Sequence, residues 1–222
     1  MTRIAAIFDL DDTILRGSSG RLFVHYLRRK RLFSRYFRLR NMMPVVASYL
    51  LYRLGRTDAT QAMRRSAMVA RGILVDDLWT VVQPWIEEVL LPAIAPAARE
   101  RLAWHRSQGH LPVICSASSQ FAVPPVADEL GIEHVVYTEW LVENGRLTGR
   151  VREPVVYGAG KVYWMEIWAT EQQVSLADSY FYSDHISDQP LLELVAWPTA
   201  VNPDARLAEL ALQRGWPVQN WR

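Results

Sequence analysis

The 222-residue sequence holds one cysteine, Cys115, which excludes an internal disulfide framework and suits a reducing compartment. Lysine is nearly absent: of 25 basic residues only Lys30 and Lys161 are lysines, and the other 23 are arginines. No apolar run is long enough to cross a bilayer, which takes about 20 residues. The longest lipid-like stretch, residues 42–54, is broken by Pro44 and Arg53. The first strand is expected almost at Met1, leaving no room before it for a signal peptide, so the chain is expected to be cytoplasmic. Internal repeats and low-complexity tracts are lacking too. Acid is missing from one segment in particular: residues 16–72 carry 14 Arg and Lys against Asp58 alone, a net +13 that leaves −11 for the rest of a chain totalling +2. Such asymmetry is expected of two structural units with different partners.

What is present begins with core-forming material: half the residues are hydrophobic and nine are Trp. The length suits one domain, or one domain with a sizeable insertion. Residues 4–8, IAAIF, form an apolar run that fits a fully buried strand, and it ends abruptly in Asp9, Asp11 and Asp12, followed by Thr13. Carboxylates gathered beyond a core strand repel one another, so a fold keeps them only where a cation or a reaction compensates. Helix capping by Asp12 and Thr13 would account for one Asp but not for Asp9 with Asp11.

Residues 16–95 show helical spacing rather than alternation. Leu22, Phe23, Tyr26 and Leu27 share one face, Phe33, Tyr36 and Phe37 follow, and further helices are predicted over 42–54, 60–71 and 76–91. Asp58 and Thr60 are candidate caps, Gly55 and Gly72 candidate stops, and Pro92 and Pro96 close the segment. From residue 97 strands and helices alternate. Helices are predicted over 98–108, 118–130 (with Pro124 and Pro125 in its first turns), 161–172, 188–195 and 204–214. Strands are predicted over 111–115, 135–137, 180–182 and 199–201. Residues 140–142 and 147–151 flank Asn144-Gly145 as a hairpin. The pattern predicts an α/β fold, a doubly wound and mostly parallel sheet, with an all-helical insertion after the first strand.

Four features then fall at strand ends or helix starts: Asp9, Asp11 and Thr13 in DLDDT; Ser116 in ICSAS; Lys161 in YGAGK; and Asp184 and Asp188 in SDHISD. In this order and spacing, over the whole chain, they resemble the haloacid dehalogenase superfamily. The closest resemblance is to the subgroup IB that contains phosphoserine phosphatase, with a helical cap between the first two motifs. The resemblance implies an α/β core over 1–15 and 96–222 and a cap over 16–95, hinged near 16–20 and 95–97. It implies a Mg2+-dependent phosphomonoester hydrolase, with Asp9 the nucleophile that becomes aspartyl-phosphate and Asp11 the acid/base. Mg2+ would be held by Asp9, the Asp11 carbonyl and Asp184, with Asp188 behind them positioning a metal-bound water or Lys161. Ser116, the Ala117 N–H at a helix start, and Lys161 would hold the phosphoryl group. The chemistry is consistent, because an attacking carboxylate and a phosphate dianion need charge neutralisation. A retained Asp11 favours phosphatase over transport ATPase or dehalogenase, where the resemblance implies a different residue there, and over phosphomutase.

Other motifs fail. YGAGKV lacks the first Gly and the final Ser or Thr of a phosphate-cradling loop. Cys115 lacks the Arg six residues on that a cysteine phosphatase needs, since that residue is Phe121. His185 is read as a loop histidine, and His25, His105, His110 and His134 show no metal-ligand spacing. For the substrate, phosphoserine phosphatases carry a Glu nine residues after the nucleophile, a Ser-Gly-Gly motif and GDGxND, where this chain has Ser18, Ser116-Ala117-Ser118 and Ser183 to Asp188. Histidinol phosphate or another small phosphomonoester is therefore expected ahead of phosphoserine. The basic stretch Arg28–Arg40, interleaved with Leu32, Phe33, Tyr36 and Phe37, reads first as a solvated face and next as a surface that steers anionic substrate. Third comes peripheral docking on anionic membranes, which would suit a lipid-phosphate substrate. No nucleic-acid partner is expected, because no recognised module accompanies the charge. A non-catalytic protein binding a phosphorylated ligand is the alternative class, and Asp11 would have no use there. Oligomeric state is left open.

Overall fold

The computed structural model describes residues 2–32 and 59–222. The helix expected over 42–54, the positions Phe33, Tyr36, Phe37 and Asp58, and the basic residues Arg35, Arg38 and Arg40 lie outside the described residues. The strands are β1 (Ala5–Phe8), β2 (Leu111–Ser116), β3 (His134–Tyr137), β4 (Trp140–Glu143), β5 (Arg146–Val151), β6 (Tyr180–Ser183), β7 (Trp197–Val201) and β8 (Val218–Gln219). The helices are α1 (Ser19–Arg29), α2 (Ala59–Val69), α3 (Val75–Trp85), α4 (Pro96–Ser107), α5 (Val123–Leu130), α6 (Ala159–Gln172), α7 (Gln189–Leu192) and α8 (Ala205–Arg214).

Six strands form one parallel sheet in the order β3–β2–β1–β6–β7–β8, and β4 and β5 form a separate antiparallel hairpin. The fold is therefore α/β and doubly wound, with β1 in the interior of the sheet. Every residue of β1 is buried, as a parallel strand covered on both faces requires. Ala6 and Phe8 face one apolar cluster with Ile114, Tyr182, Leu102 of α4 and Val126 of α5. Ala5 and Ile7 face the other, with Val113, Phe181, Met165 of α6, Leu191 of α7 and Leu207 of α8. The chain leaves β1 toward β2 on one side and later returns to β6 on the other. That reversal opens a crevice at the carboxyl ends of β1, β2 and β6, where ligands bind in such sheets.

Helices α1 to α3 lie between β1 and α4 in sequence. The two chain segments joining them to the sheet run antiparallel: Leu15 bridges Ile94, and the Arg16 and Ala95 N–H groups donate to the Ala93 and Ile14 carbonyls, both at 2.8 Å. Tyr26, Leu27, Leu78, Val82 and Trp85 of these helices join the same apolar cluster as Phe8. The β4–β5 hairpin packs on α2. Gly149 (φ +78°) makes the approach feasible, since a Cβ there would lie 2.9 Å from Arg71 Cβ and 3.3 Å from Met68 Cα. Arg64 adds two hydrogen bonds to Glu153, at 2.7 and 3.1 Å.

Two expected helices are shorter than their sequence patterns. The one expected over 118–130 starts only at Val123, where Pro124 and Pro125 set its first turn and restrict the residues before them. The one expected over 188–195 spans Gln189–Leu192, after a single tight turn at Ile186–Asp188, because the chain must enter β7 at Trp197.

Between α4 and β6, His105 is fully buried, with Nε2 2.9 Å from the Tyr182 hydroxyl and Nδ1 2.8 Å from His110 Nδ1. Burial, with the His110 and Arg101 charges adding to it, holds its pKa down at about 3. The unfolded chain binds this proton below about pH 6.5 and the native state does not, so stability is lost as pH falls from there toward 3. Urea unfolding of wild type should lose up to about 1.4 kcal/mol per pH unit more between pH 6.5 and 5 than His105→Gln. Equal slopes would contradict this account.

Candidate active site

The site is built where β1 ends. Asp9 follows Phe8 directly, and its N–H donates to the Tyr182 carbonyl at 2.9 Å, which continues the sheet ladder by one residue. Residues 10–14 then make one wide turn in which Asp11 is extended (φ −70°, ψ 134°) and Asp12 left-handed (φ +54°), a conformation Asp tolerates better than most side chains. The turn is pinned outside as well: Asn202 Nδ2 donates to the Asp12 carbonyl at 2.8 Å, and Arg21 pairs with the Asp12 carboxylate at 2.6 Å.

Lys161, in the first turn of α6, is 2 % exposed. Its Nζ donates to Asp9 Oδ1 and to Asp188 Oδ2, both at 2.6 Å. Gly160 is what brings α6 close enough, since a Cβ at that position would overlap the Val155 carbonyl oxygen. Asp188 Oδ2 also accepts from Ser183 Oγ at 2.7 Å, while its Oδ1 is buried with no partner among the described residues. Asp184 follows β6 directly, and among the described residues no donor meets its carboxylate.

One lysine thus faces three carboxylates. Burial alone would discharge Lys161, but Asp188 and Asp9 together outweigh it and hold the amine protonated, above its ordinary range. The acids cannot all be satisfied in return. Burial, with Asp188 adding to it against Lys161, pushes Asp9 up to about 7. Burial together with Asp9, Asp12 and Asp188 pushes Asp184 up to about 8. This deficit of positive charge, with oxygen-only donors and an orphaned Asp188 oxygen, fits a hard divalent cation such as Mg2+. No cluster of three His, Cys, Asp or Glu side chains surrounds one point among the described residues. A set of two carboxylates and a backbone carbonyl does not require one.

Asp11 stands slightly apart. Its Oδ1 accepts from the Ser19 N–H at 2.7 Å and its Oδ2 from Ser118 Oγ at 2.9 Å. Burial raises its pKa, and these donors oppose the rise. Ser116 ends β2, 1 % exposed, and its Oγ accepts from the Ser118 N–H at 3.2 Å, leaving its own proton to donate. Ala117 follows in a loop and not at a helix start, because α5 begins only at Val123.

The residues discounted in the sequence are also accounted for. His185 Nδ1 accepts from the Ser187 N–H at 3.1 Å, and its Nε2 lies 3.4 Å from Asp204 at the start of α8, so the ring is held between its own loop and α8. Cys115 is fully buried, and burial pushes its thiol far above the usual range. Ser19, Ser118 and Ser183 are contacts that sequence reasoning missed. Ser118 and Ser183 stand inside quoted motifs, and the position beside Ser116 or Asp184 was the only available signal.

A carboxylate held by a buried lysine, a second carboxylate with its own donors and a hydroxyl at the neighbouring strand end thus meet at the carboxyl edge of an α/β sheet. The family model for haloacid dehalogenase-like hydrolases matches residues 6–193, and the chain belongs to that family. It is 29% identical over 221 residues to a histidinol-phosphatase of Neisseria meningitidis, covering 98% of each chain. It is 28% identical over 222 residues to a phosphoserine phosphatase of Mycobacterium tuberculosis, covering 98% of this chain and 71% of that one. A solved structure of a protein of unknown function from Bordetella pertussis superposes with a TM-score of 0.87 at 29% identity, over the full length of both. Within the family the chain is a phosphatase.

Gly160→Ala should cost about 2–4 kcal/mol in chemical denaturation, because either α6 or the loop at Val155 must shift. A variant of unchanged stability would contradict the close approach.

Proposed function

We propose that the protein hydrolyses a small phosphomonoester through an aspartyl-phosphate on Asp9, with Mg2+ as cofactor. The observation that carries the reading is the buried Lys161 bridging Asp9 and Asp188 while Asp11 is held separately by Ser19 and Ser118. Two carboxylates in different environments suit two different roles.

Asp9 attacks phosphorus with a carboxylate oxygen, and the ester bond to the leaving oxygen breaks as the new bond forms. Asp11, kept protonated more readily by its burial, gives its proton to that leaving oxygen. In the second half-reaction Asp11 takes a proton from the water that attacks the aspartyl-phosphate, which releases phosphate and restores Asp9. Lys161 holds Asp9 and offsets charge on the phosphoryl oxygens as a point charge. Ser116 Oγ and the Ala117 N–H donate to those oxygens from the end of β2. The Asp9 and Asp184 carboxylates and the Asp11 carbonyl would hold Mg2+, which supplies electrostatic stabilisation of the transferring group. Asp188 fixes Lys161 from behind.

A substrate of the histidinol phosphate kind is favoured over phosphoserine. Ser18, at the start of α1, brings no carboxylate to pair an ammonium group. The relative named histidinol-phosphatase matches end to end, whereas the relative named phosphoserine phosphatase is longer than this chain.

With Mg2+, a panel of histidinol phosphate, phosphoserine, sugar phosphates and a lysophospholipid phosphate should give phosphate release from histidinol phosphate or a close analogue. That release should vanish in EDTA and fall at least 1,000-fold, ~10³, in Asp9→Asn. Preference for the lysophospholipid would point to a lipid substrate. Activity surviving in Asp9→Asn would overturn the nucleophile assignment, and phosphate binding without turnover of any ester would make the protein a binding module.

A further inference from the structure

Three groups converge on the Asp11 side chain from opposite sides of the linker between β1 and α1. Ser19, the first residue of α1, gives its backbone N–H to Oδ1 at 2.7 Å. Ser118, in the loop after β2, gives its hydroxyl to Oδ2 at 2.9 Å. The two serine hydroxyls lie 2.8 Å apart, although 99 residues separate them in sequence. A hydroxyl has one proton. The Ser19 hydroxyl reaches the Asp11 carboxylate as well, and either hydroxyl can donate within the pair, so the two serines form one network on Asp11 in which each bond polarises the next.

This arrangement fixes more than the presence of an acid. A carboxylate turns freely about its Cβ–Cγ bond unless both oxygens are held, and here one is held by α1 and the other by the sheet. Lys161 takes no part, and Ser116 meets Ser118 only through the Ser118 backbone N–H, so no side chain assigned to the phosphoryl oxygens bonds the Asp11 carboxylate.

We infer that Ser118 is a positioning residue for Asp11: with Ser19 it fixes the carboxylate where the leaving oxygen takes its proton, and does so only while α1 is seated against the loop after β2. The inference rests on the phosphatase reading above. It separates two kinds of ester. An alkyl phosphate expels a strongly basic alkoxide that cannot depart without a proton, so its cleavage depends on an aligned Asp11. p-Nitrophenyl phosphate expels a stable phenolate that departs with little help. The quantity to compare is kcat/KM, which ends at departure of the leaving group and so excludes the later attack of water on the aspartyl-phosphate.

Ser118→Ala should lower kcat/KM for propyl phosphate about 10- to 100-fold and for p-nitrophenyl phosphate less than about 3-fold. Ser118→Thr, which restores the hydroxyl, should recover most of the propyl phosphate rate. Ser19→Ala keeps the backbone donor to Oδ1, so its selective loss should be smaller. Equal losses on both esters in Ser118→Ala, or no recovery in Ser118→Thr, would overturn the positioning role and leave the phosphatase reading standing. Wild-type protein that cleaves neither ester would overturn that reading and this inference with it.

Discussion

Everything in the site depends on one imbalance of charge. Among the described residues Lys161 is the single cation placed against Asp9 and Asp188, all three buried, with the half-buried Asp184 within their field. A buried ion pair of this kind is a doubtful source of stability, because desolvating the charges offsets most of their attraction. Its worth lies elsewhere. Left to themselves, Asp9 and Asp184 resist ionising, so the site is short of positive charge. In the proposed reading this is what suits the site to a divalent cation and a phosphoryl group bound together.

The fold serves this imbalance by delivering charged groups from separate strands to one end of the sheet. β1 is apolar throughout, and the acids begin at the next residue, the buried Asp9. β6 does the same with Ser183 and Asp184, and α6 reaches in with Lys161 because Gly160 permits backbone contact with the segment before it. The cluster of apolar residues containing Phe8 and Tyr182 runs without a break into α1 and α3. The helical segment is therefore packed on the sheet through continuous core, and Asp11 sits where the two meet, with one oxygen bonded to each side.

Much of this was legible in the sequence. The abrupt passage from IAAIF to three acids marked β1 and its carboxyl end, because a run of apolar residues has one stable place and carboxylates have another. Lys161 stood out through composition, as one of only two lysines. The hairpin around Asn144-Gly145 was equally plain, although not its docking on α2, which depends on the absent Cβ of Gly149 and on Arg64 meeting Glu153. Helix starts were less legible. Periodicity carried the helix of residue 123 back to 118, but the proline pair sets where helical dihedrals begin, and Ala117 is left in a loop. The Ser19–Ser118 contact was invisible for a simpler reason: nothing local in either serine encodes a partner 99 residues away.

The central claim is that Asp9 carries the phosphoryl group between the two half-reactions. The most direct measurement is acid quenching of the enzyme during turnover, followed by proteolysis and mass spectrometry of the fragments. The account predicts one added phosphoryl group on the fragment containing Asp9, absent in Asp9→Asn. A phosphoryl group on another residue, or turnover without any labelled fragment under conditions that preserve acyl phosphates, would contradict it.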